Sequence, residues 1–322
     1  MTKESDNIRE QVFRITQTFL KTPPLIVWGS GATVPFGLPS MFKLNEKLKE
    51  EIIGFDTTNT NLELELGKEK YKNQIPEIKN VIWNEINGAD IAVLEKITSN
   101  EIDSFKGIKL LIDKFIDVHP KVLNIVTTNY DRVLEYVMAY YSINFTDGFT
   151  GKTLSCFDEN LFQNKDMVNL IKVHGSLNWF DVSGELRFMN NCYAQHSPKI
   201  IAPGRNKFQE AYNSPYRELI QKADTIIKNA SSFLIIGFGF NDEHLTPRII
   251  TQIKKGAPVV LITKSITDST YKEIEKAEKY ILFEEKEVGV TRIMYKNNNI
   301  NKKMDVTLNG NFWQLNNFIE IL

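Results

Sequence analysis

Asn129, Asp131 and His174 are the side chains whose types and positions could carry chemistry. They stand at or just past the ends of two short apolar runs, VLNIVTTN and LIKVHG, and the carboxyl end of such a run is where an open α/β sheet binds ligands. An amide can orient a hydroxyl or a water through its oxygen and its donors. An imidazole can take a proton from a hydroxyl or water near neutral pH. A carboxylate accepts from an amide donor. The same residues have structural uses: Asn129 and Asp131 could cap the helix predicted to start at Asp131, and His174 could be a satisfied core histidine. His119 and His196 read as loop residues and His244 as part of a helix start, and no chemistry is assigned to them.

A third run, LIVW, ends at Gly29-Ser30-Gly31-Ala32-Thr33. Two glycines let the backbone approach a diphosphate, and small side chains leave its amides exposed. The segment lacks the third glycine of GxGxxG, and a tight strand-to-helix turn explains the same residues.

The elements that must position these residues alternate. LIVW, VLNIVTTN, SFLIIGFG and PVVLITK read as strands buried on both faces. The last three are followed by the helix-like segments DRVLEYVMAYY, DEHLTPRIITQIKKG and DSTYKEIEKAEK. This alternation predicts an α/β fold with a doubly wound, parallel, Rossmann-like sheet, which LIKVHG joins as a fifth strand. Ile8, Val12, Ile15 and Phe19 predict an amphipathic first helix that ends before Pro23-Pro24. Residues 42–106 carry helical spacing in FKLNEKLKEEII, NLELELGKEKY and DIAVLEKI and read as a helical insertion. Residues 145–207, with aromatics, glycines and short β-like pieces, read as a small second module. KNNNINKK reads as a solvated hairpin tip. Phe312, Leu315, Phe318 and Ile319 stand at helical spacing, and docking on the chain's own core is the commoner use of such a face.

Composition narrows the function classes. Apolar residues make up 42% and charged residues 25%, which is the balance of a folded globular chain. The 39 basic and 40 acidic side chains nearly cancel, so no global field exists to hold a nucleic-acid backbone, and no direct nucleic-acid binding is expected. The two cysteines, Cys156 and Cys192, form no CxxC pair; they read as buried free thiols, and no metal site is assigned. The polar N-terminus and the lack of any apolar run approaching ~18 residues argue against a membrane span. A cytoplasmic protein is expected.

Read together, the motifs resemble those of sirtuins. Gly29-Ser30-Gly31-Ala32-Thr33, three residues, then Gly37-Leu38-Pro39 is similar to the sirtuin GAGIS, three residues, GIP. Thr127-Thr128-Asn129-Tyr130-Asp131 resembles TQNID, His174-Gly175 resembles the sirtuin HG, and Gly237-Phe238-Gly239 stands where sirtuins carry a Gly-Thr-Ser turn. The wording TTNYD, HGSLNW and GFGFNDEHL looks closer still to the sirtuin-like effectors of bacterial antiphage defence, including forms paired with a HerA-type ATPase. The resemblance implies one NAD-binding domain over residues 1–322. NAD would be the substrate, Asn129 and His174 the catalytic residues, and Asp131 the residue that recognises the nicotinamide carboxamide. Gly29, Ser30, Gly31, Ala32, Thr33, Pro39, Thr128, Asp131, Gly237, Phe238, Gly239 and Thr263 would bind the dinucleotide.

Two departures shape the expected activity. Deacylating sirtuins hold zinc in their small module with two cysteine pairs, and two cysteines cannot supply them, so no zinc is expected. Asp-Phe-Arg after the GIP motif is replaced by Ser40-Met41-Phe42. Hydrolysis of NAD to nicotinamide and ADP-ribose is therefore the expected reaction. A deacylase or ADP-ribosyltransferase, and a non-catalytic NAD or ADP-ribose sensor, are the alternatives. An NAD-draining enzyme needs restraint, which implies a homo-oligomer or a partner such as a HerA-type ATPase, with the 42–106 insertion as the gating element.

Overall fold

The computed structural model describes residues 3–56, 58, 62–163, 165–190, 196–204, 211–297 and 300–322. It opens with helix α1 (Lys3–Phe19) and strand β1 (Leu25–Trp28). Helices α2 (Met41–Glu51), α3 (Leu62–Leu66), α4 (Ile75–Thr98) and α5 (Lys106–Ile116) separate β1 from β2 (Val122–Thr127). Then follow α6 (Val133–Tyr140), β3 (Phe145–Thr146), β4 (Leu154–Ser155), β5 (Met167–Lys172), β6 (Gly175–Val182), β7 (Glu185–Met189) and β8 (Pro198–Ile200). The remainder comprises α7 (Tyr216–Asn229), β9 (Phe233–Ile236), α8 (Thr246–Lys254), β10 (Val259–Thr263), α9 (Asp268–Ile274), β11 (Tyr280–Glu287), β12 (Val290–Asn297), β13 (Ile300–Asn309) and α10 (Leu315–Phe318).

The large sheet has the order β13-β12-β11-β10-β9-β1-β2-β5-β3. From β11 to β3 every pairing is parallel, and the β12–β13 hairpin adds two antiparallel strands at one edge. The central strands are short and wholly buried because both faces are covered. Ile26 and Trp28 of β1 enter one core with Val12 of α1, Leu111 of α5 and Val137 of α6. Leu25 and Val27 enter the other with Leu219 of α7 and Ile249 of α8. Helices on both faces of a parallel sheet make the doubly wound fold that the strand–helix alternation predicts.

Of residues 145–207, β3 and β5 lie in the large sheet, whereas β4, β7, β6 and β8 form a separate antiparallel sheet in that order. Between β1 and β2, α4 runs for 24 residues, far beyond the segment read from DIAVLEKI. Its buried face, Ile78, Ile82, Trp83, Ile86, Asp90, Val93 and Ile97, keeps helical spacing along that whole length.

Several local expectations change. The helix after β2 begins at Val133, not Asp131, because Asp131 and Arg132 are held outside it: Asp131 Oδ1 accepts the Val133 N–H at 3.3 Å, and the Arg132 N–H donates to Asp90 at 2.6 Å. His244 precedes α8 and is not part of a helix. Cys156 is exposed beside the Arg187 guanidinium, not buried, because its segment lies at the rim of the small sheet; Cys192 lies outside the described residues. The tip of the KNNNINKK hairpin, residues 298–299, also lies outside them. At the C-terminus only Leu315–Phe318 is α-helical. Phe312 and Phe318 are buried on the chain's own body, with the Phe318 ring 5.5 Å from that of Phe283. No helix among the described residues is long and apolar enough to cross a membrane.

Candidate functional site

Three cavities run along the carboxyl ends of the parallel strands. The first, about 70 Å³, is lined by Ser30, Thr33, Leu38, Pro39, Met41, Leu44, Ile82, Ile86, Thr128, Asn129, Tyr130, Asp131, His174 and Pro203. The second, about 270 Å³, shares Ser30, Met41 and Thr128 with it and adds Gly31, Leu62, Gly237, Phe238, Gly239, Asn241, Asp242 and Thr263. The third, about 400 Å³, continues past Gly31, Gly237 and Thr263 to Ala32 and Lys264. Of the residues that the sequence assigns to the site, all but Gly29 line this cleft.

The Gly29–Thr33 loop is built differently from the expectation of exposed amides. The Gly29 N–H donates to Ile236 O and the Gly31 N–H to Gly237 O, both at 2.9 Å. The Ala32 and Thr33 N–H groups close a 3₁₀ turn onto Gly29 O and Ser30 O. Four amides are thus consumed inside the protein. The glycines serve a crossing of two loops: a Cβ on Gly29 would overlap Gly237 O and Phe238 Cα, and a Cβ on Gly237 would overlap Ala32 N and the Gly31 backbone.

Asn129 is fixed from one side. Its backbone N–H donates to Thr127 Oγ1 at 3.0 Å, and that hydroxyl donates to Trp28 O at 2.7 Å, which ties β2 to β1. Its Nδ2 reaches Gly29 O at 3.1 Å and Thr33 Oγ1 at 3.4 Å. Its Oδ1 is buried with no hydrogen-bond partner in the protein. A buried acceptor without a partner is costly, and the residue that carries it lines the first cavity.

Asp131 is 8% exposed, and burial pushes its carboxyl up to about 7 against the opposing pull of Lys172. Its Oδ2 accepts the Thr33 hydroxyl at 3.2 Å. Asp147, also buried, is likewise raised to about 7 by burial, then by the charge of Glu135. Near neutral pH each carboxyl therefore spends much of its time as the neutral acid, which can donate as well as accept.

His174 follows β5, where Val173 N–H donates to Thr127 O and Ile201 N–H donates to His174 O. Its Nε2 lies 3.1 Å from Asp242 Oδ2, with both side chains at or below 5% exposure. At that separation Nε2 does not yet make a formed hydrogen bond, a looseness common before a ligand closes a site. The His244 ring stands edge-on to His174 at 5.9 Å.

Sequence reasoning missed four supports of this arrangement. Lys172, fully buried, donates to Asp131 O at 2.6 Å and Glu135 Oε1 at 2.5 Å, which clamps the backbone beneath Asn129 and Asp131. A lysine inside an apolar strand run was its signal, since such a charge needs partners. Asp242 had a weaker signal, as the aspartate of a short Asn-Asp loop ahead of a helix. Asp90 on α4 accepts from Arg132 Nε at 2.9 Å and the Tyr136 hydroxyl at 2.6 Å, and so ties the 42–106 segment to the site loop. Met41, which stands in the Ser40-Met41-Phe42 departure, lines both cavities of the Asn129–His174 end. Among the described residues no group of three or more His, Cys, Asp or Glu is placed to hold a metal ion.

The doubly wound sheet thus brings Asn129 and His174 to the lining of one cavity at the carboxyl ends of its strands. The chain belongs to the SIR2-like domain family, which matches residues 123–288, just over half of it. Solved structures that it resembles include Sir2 with a p53 peptide and NAD⁺ (14% identity, TM-score 0.47, covering 82% of this chain and 90% of that one). Sir2Tm bound to a propionylated peptide gives 13% identity and a TM-score of 0.45, covering 83% of this chain and 91% of that one. Sir2 bound to an acetylated peptide gives 13% and 0.44 over the same shares. No curated protein matches the chain.

Proposed function

We propose that the protein is an NAD glycohydrolase that uses Asn129 and His174. The observation that carries this reading is that Asn129, whose buried Oδ1 has no partner in the protein, lines the same small cavity as His174. NAD would lie along the cleft, with nicotinamide in the apolar cavity beside Asp131 and Pro39 and with the rest of the dinucleotide past Gly237 and Thr263. The bond from ribose C1′ to the nicotinamide nitrogen breaks, its electron pair goes to the ring nitrogen, and nicotinamide leaves neutral. Water adds to C1′ and releases a proton, which yields ADP-ribose. Asn129 orients the ribose or the water, and His174 takes the proton.

Hydrolysis is preferred to acyl transfer because the two cysteines of the sequence cannot supply the four-cysteine zinc site of the deacylating relatives. In a cell such an activity drains NAD, which fits an antiphage effector acting in the cytoplasm and restrained within a homo-oligomer or by a HerA-type ATPase. The α4 contact of Asp90 with Arg132 gives the 42–106 insertion a direct mechanical path to the site loop. The test is nicotinamide and ADP-ribose release by the purified protein, with and without the ATPase and with and without an acyl-lysine peptide. Turnover that needs no peptide supports hydrolysis; turnover only with peptide, yielding acylated ADP-ribose, contradicts it.

A further inference from the structure

His174 and Asp242 sit on opposite sides of a boundary. His174 lines the first cavity with Asn129, and Asp242 lines the second with Gly237, Phe238 and Gly239. Their side chains meet between the two, Nε2 to Oδ2 at 3.1 Å. The carboxylate is itself fixed: Oδ1 accepts the N–H groups of His244 at 3.0 Å and Leu245 at 2.8 Å, and the Asp242 carbonyl accepts the Thr246 N–H at 3.1 Å. One oxygen therefore closes the turn that leads into α8, and the other is presented to the imidazole.

From this geometry we infer that Asp242 is the positioning residue of His174, holding the proton on Nε2 so that Nδ1 is the nitrogen available to take a proton during NAD cleavage. A fixed carboxylate beside one imidazole nitrogen selects the tautomer, sets the ring's orientation and stabilises the imidazolium that forms as a proton arrives. Asp242 itself takes no proton and stays an acceptor throughout. That turn explains Oδ1 alone; it does not require Oδ2 to stand beside a buried histidine from the loop after β5.

The inference rests on the NAD-cleavage reading, and Asp242→Asn separates the two. Asparagine keeps an oxygen for the His244 and Leu245 N–H groups, so the turn survives. Its NH₂ group then faces Nε2, makes that nitrogen the acceptor and drives the proton to Nδ1. The chain has four histidines, so ¹⁵N-histidine labelling, with His174→Ala for assignment, resolves the tautomer. The wild type should show His174 protonated at Nε2 when neutral. Asp242→Asn should show Nδ1–H, an unfolding midpoint near wild type, NAD binding within about twofold and nicotinamide release lower by about tenfold or more. A wild-type His174 that carries its proton on Nδ1, or an Asp242→Asn enzyme within about twofold of wild-type turnover, overturns the assignment. The wild-type spectrum decides it even if the variant fails to fold. If the wild type releases no nicotinamide in any assembly, the glycohydrolase reading falls, and the tautomer comparison still decides the pairing.

Discussion

Where the loops after β1 and β9 cross, backbone meets backbone: Gly29 and Gly31 donate to Ile236 and Gly237, and a side chain on Gly29 or Gly237 would collide with the opposite chain. Where the loops after β2 and β5 approach each other, Asn129, Asp131 and His174 line one cavity, and Asn129 keeps an acceptor unspent. The first region is closed on itself and the second is held open. The difference teaches that the glycine motif here builds the floor of the cleft by close packing, whereas in the proposed function ligand chemistry falls to the loops that carry Asn129, Asp131 and His174.

The largest test of that contrast is Gly237→Ala. Its Cβ would overlap Ala32 N and the Gly31 backbone, neither of which can swing aside. We expect a loss of more than about 4 kcal/mol, read as failure to fold or a collapsed denaturation midpoint. A well-folded Gly237→Ala protein that is merely inactive would instead make Gly237 a ligand-approach residue.

Lys172→Met attacks the other region from below. It removes the buried cation that holds Tyr130 O, Asp131 O and Glu135, and breaking one half of a buried ion pair costs about 3–5 kcal/mol. Chemical denaturation should show this loss, together with weaker NAD binding. An unchanged midpoint would show that the clamp is dispensable.

Asp131→Asn gives a smaller, pH-shaped effect. Burial raises this carboxyl from its ordinary 3.8 to about 7, so the folded chain holds a proton that the unfolded chain releases between those values. Stability from this group is complete below pH 3.8 and is lost as pH rises through about 7. Asp147 acts with the same sign. Asp131→Asn should therefore reduce, without abolishing, the fall in stability over that window, read as unfolding midpoints against pH. A slope equal to wild type would mean that Asp131 is ionised in the folded chain well below neutral pH. The smallest effect is expected from metal removal: treatment with a chelator should leave the unfolding midpoint unchanged, and a marked drop would reveal a structural ion.

The strands that build the floor were legible because LIVW, FLII and VVLIT are apolar on both faces, which only a doubly covered sheet accommodates. The positions of Asn129, Asp131 and His174 at strand ends were legible for the same reason. The partnerships were not. Asp90 lies 42 residues from Arg132, and nothing local in α4 distinguishes a buried aspartate that holds a distant loop from one facing water. The glycine amides looked available because sequence shows the glycines of each loop but not that the two loops cross. Asp242 read as the start of a helix, and its second oxygen acquires meaning only once β5 brings His174 beside it.

The central claim is that Asn129 and His174 face one cavity to cleave NAD, and nicotinamide release by Asn129→Ala and His174→Ala beside wild type, in the fully assembled protein, tests it most directly. Asn129→Ala gives up the Nδ2 bonds to Gly29 O and Thr33 Oγ1 and should unfold somewhat earlier than wild type, but neither side chain is part of the strand packing, so both variants should fold and release no nicotinamide above background. Well-folded Asn129→Ala and His174→Ala proteins that retain substantial turnover would contradict it.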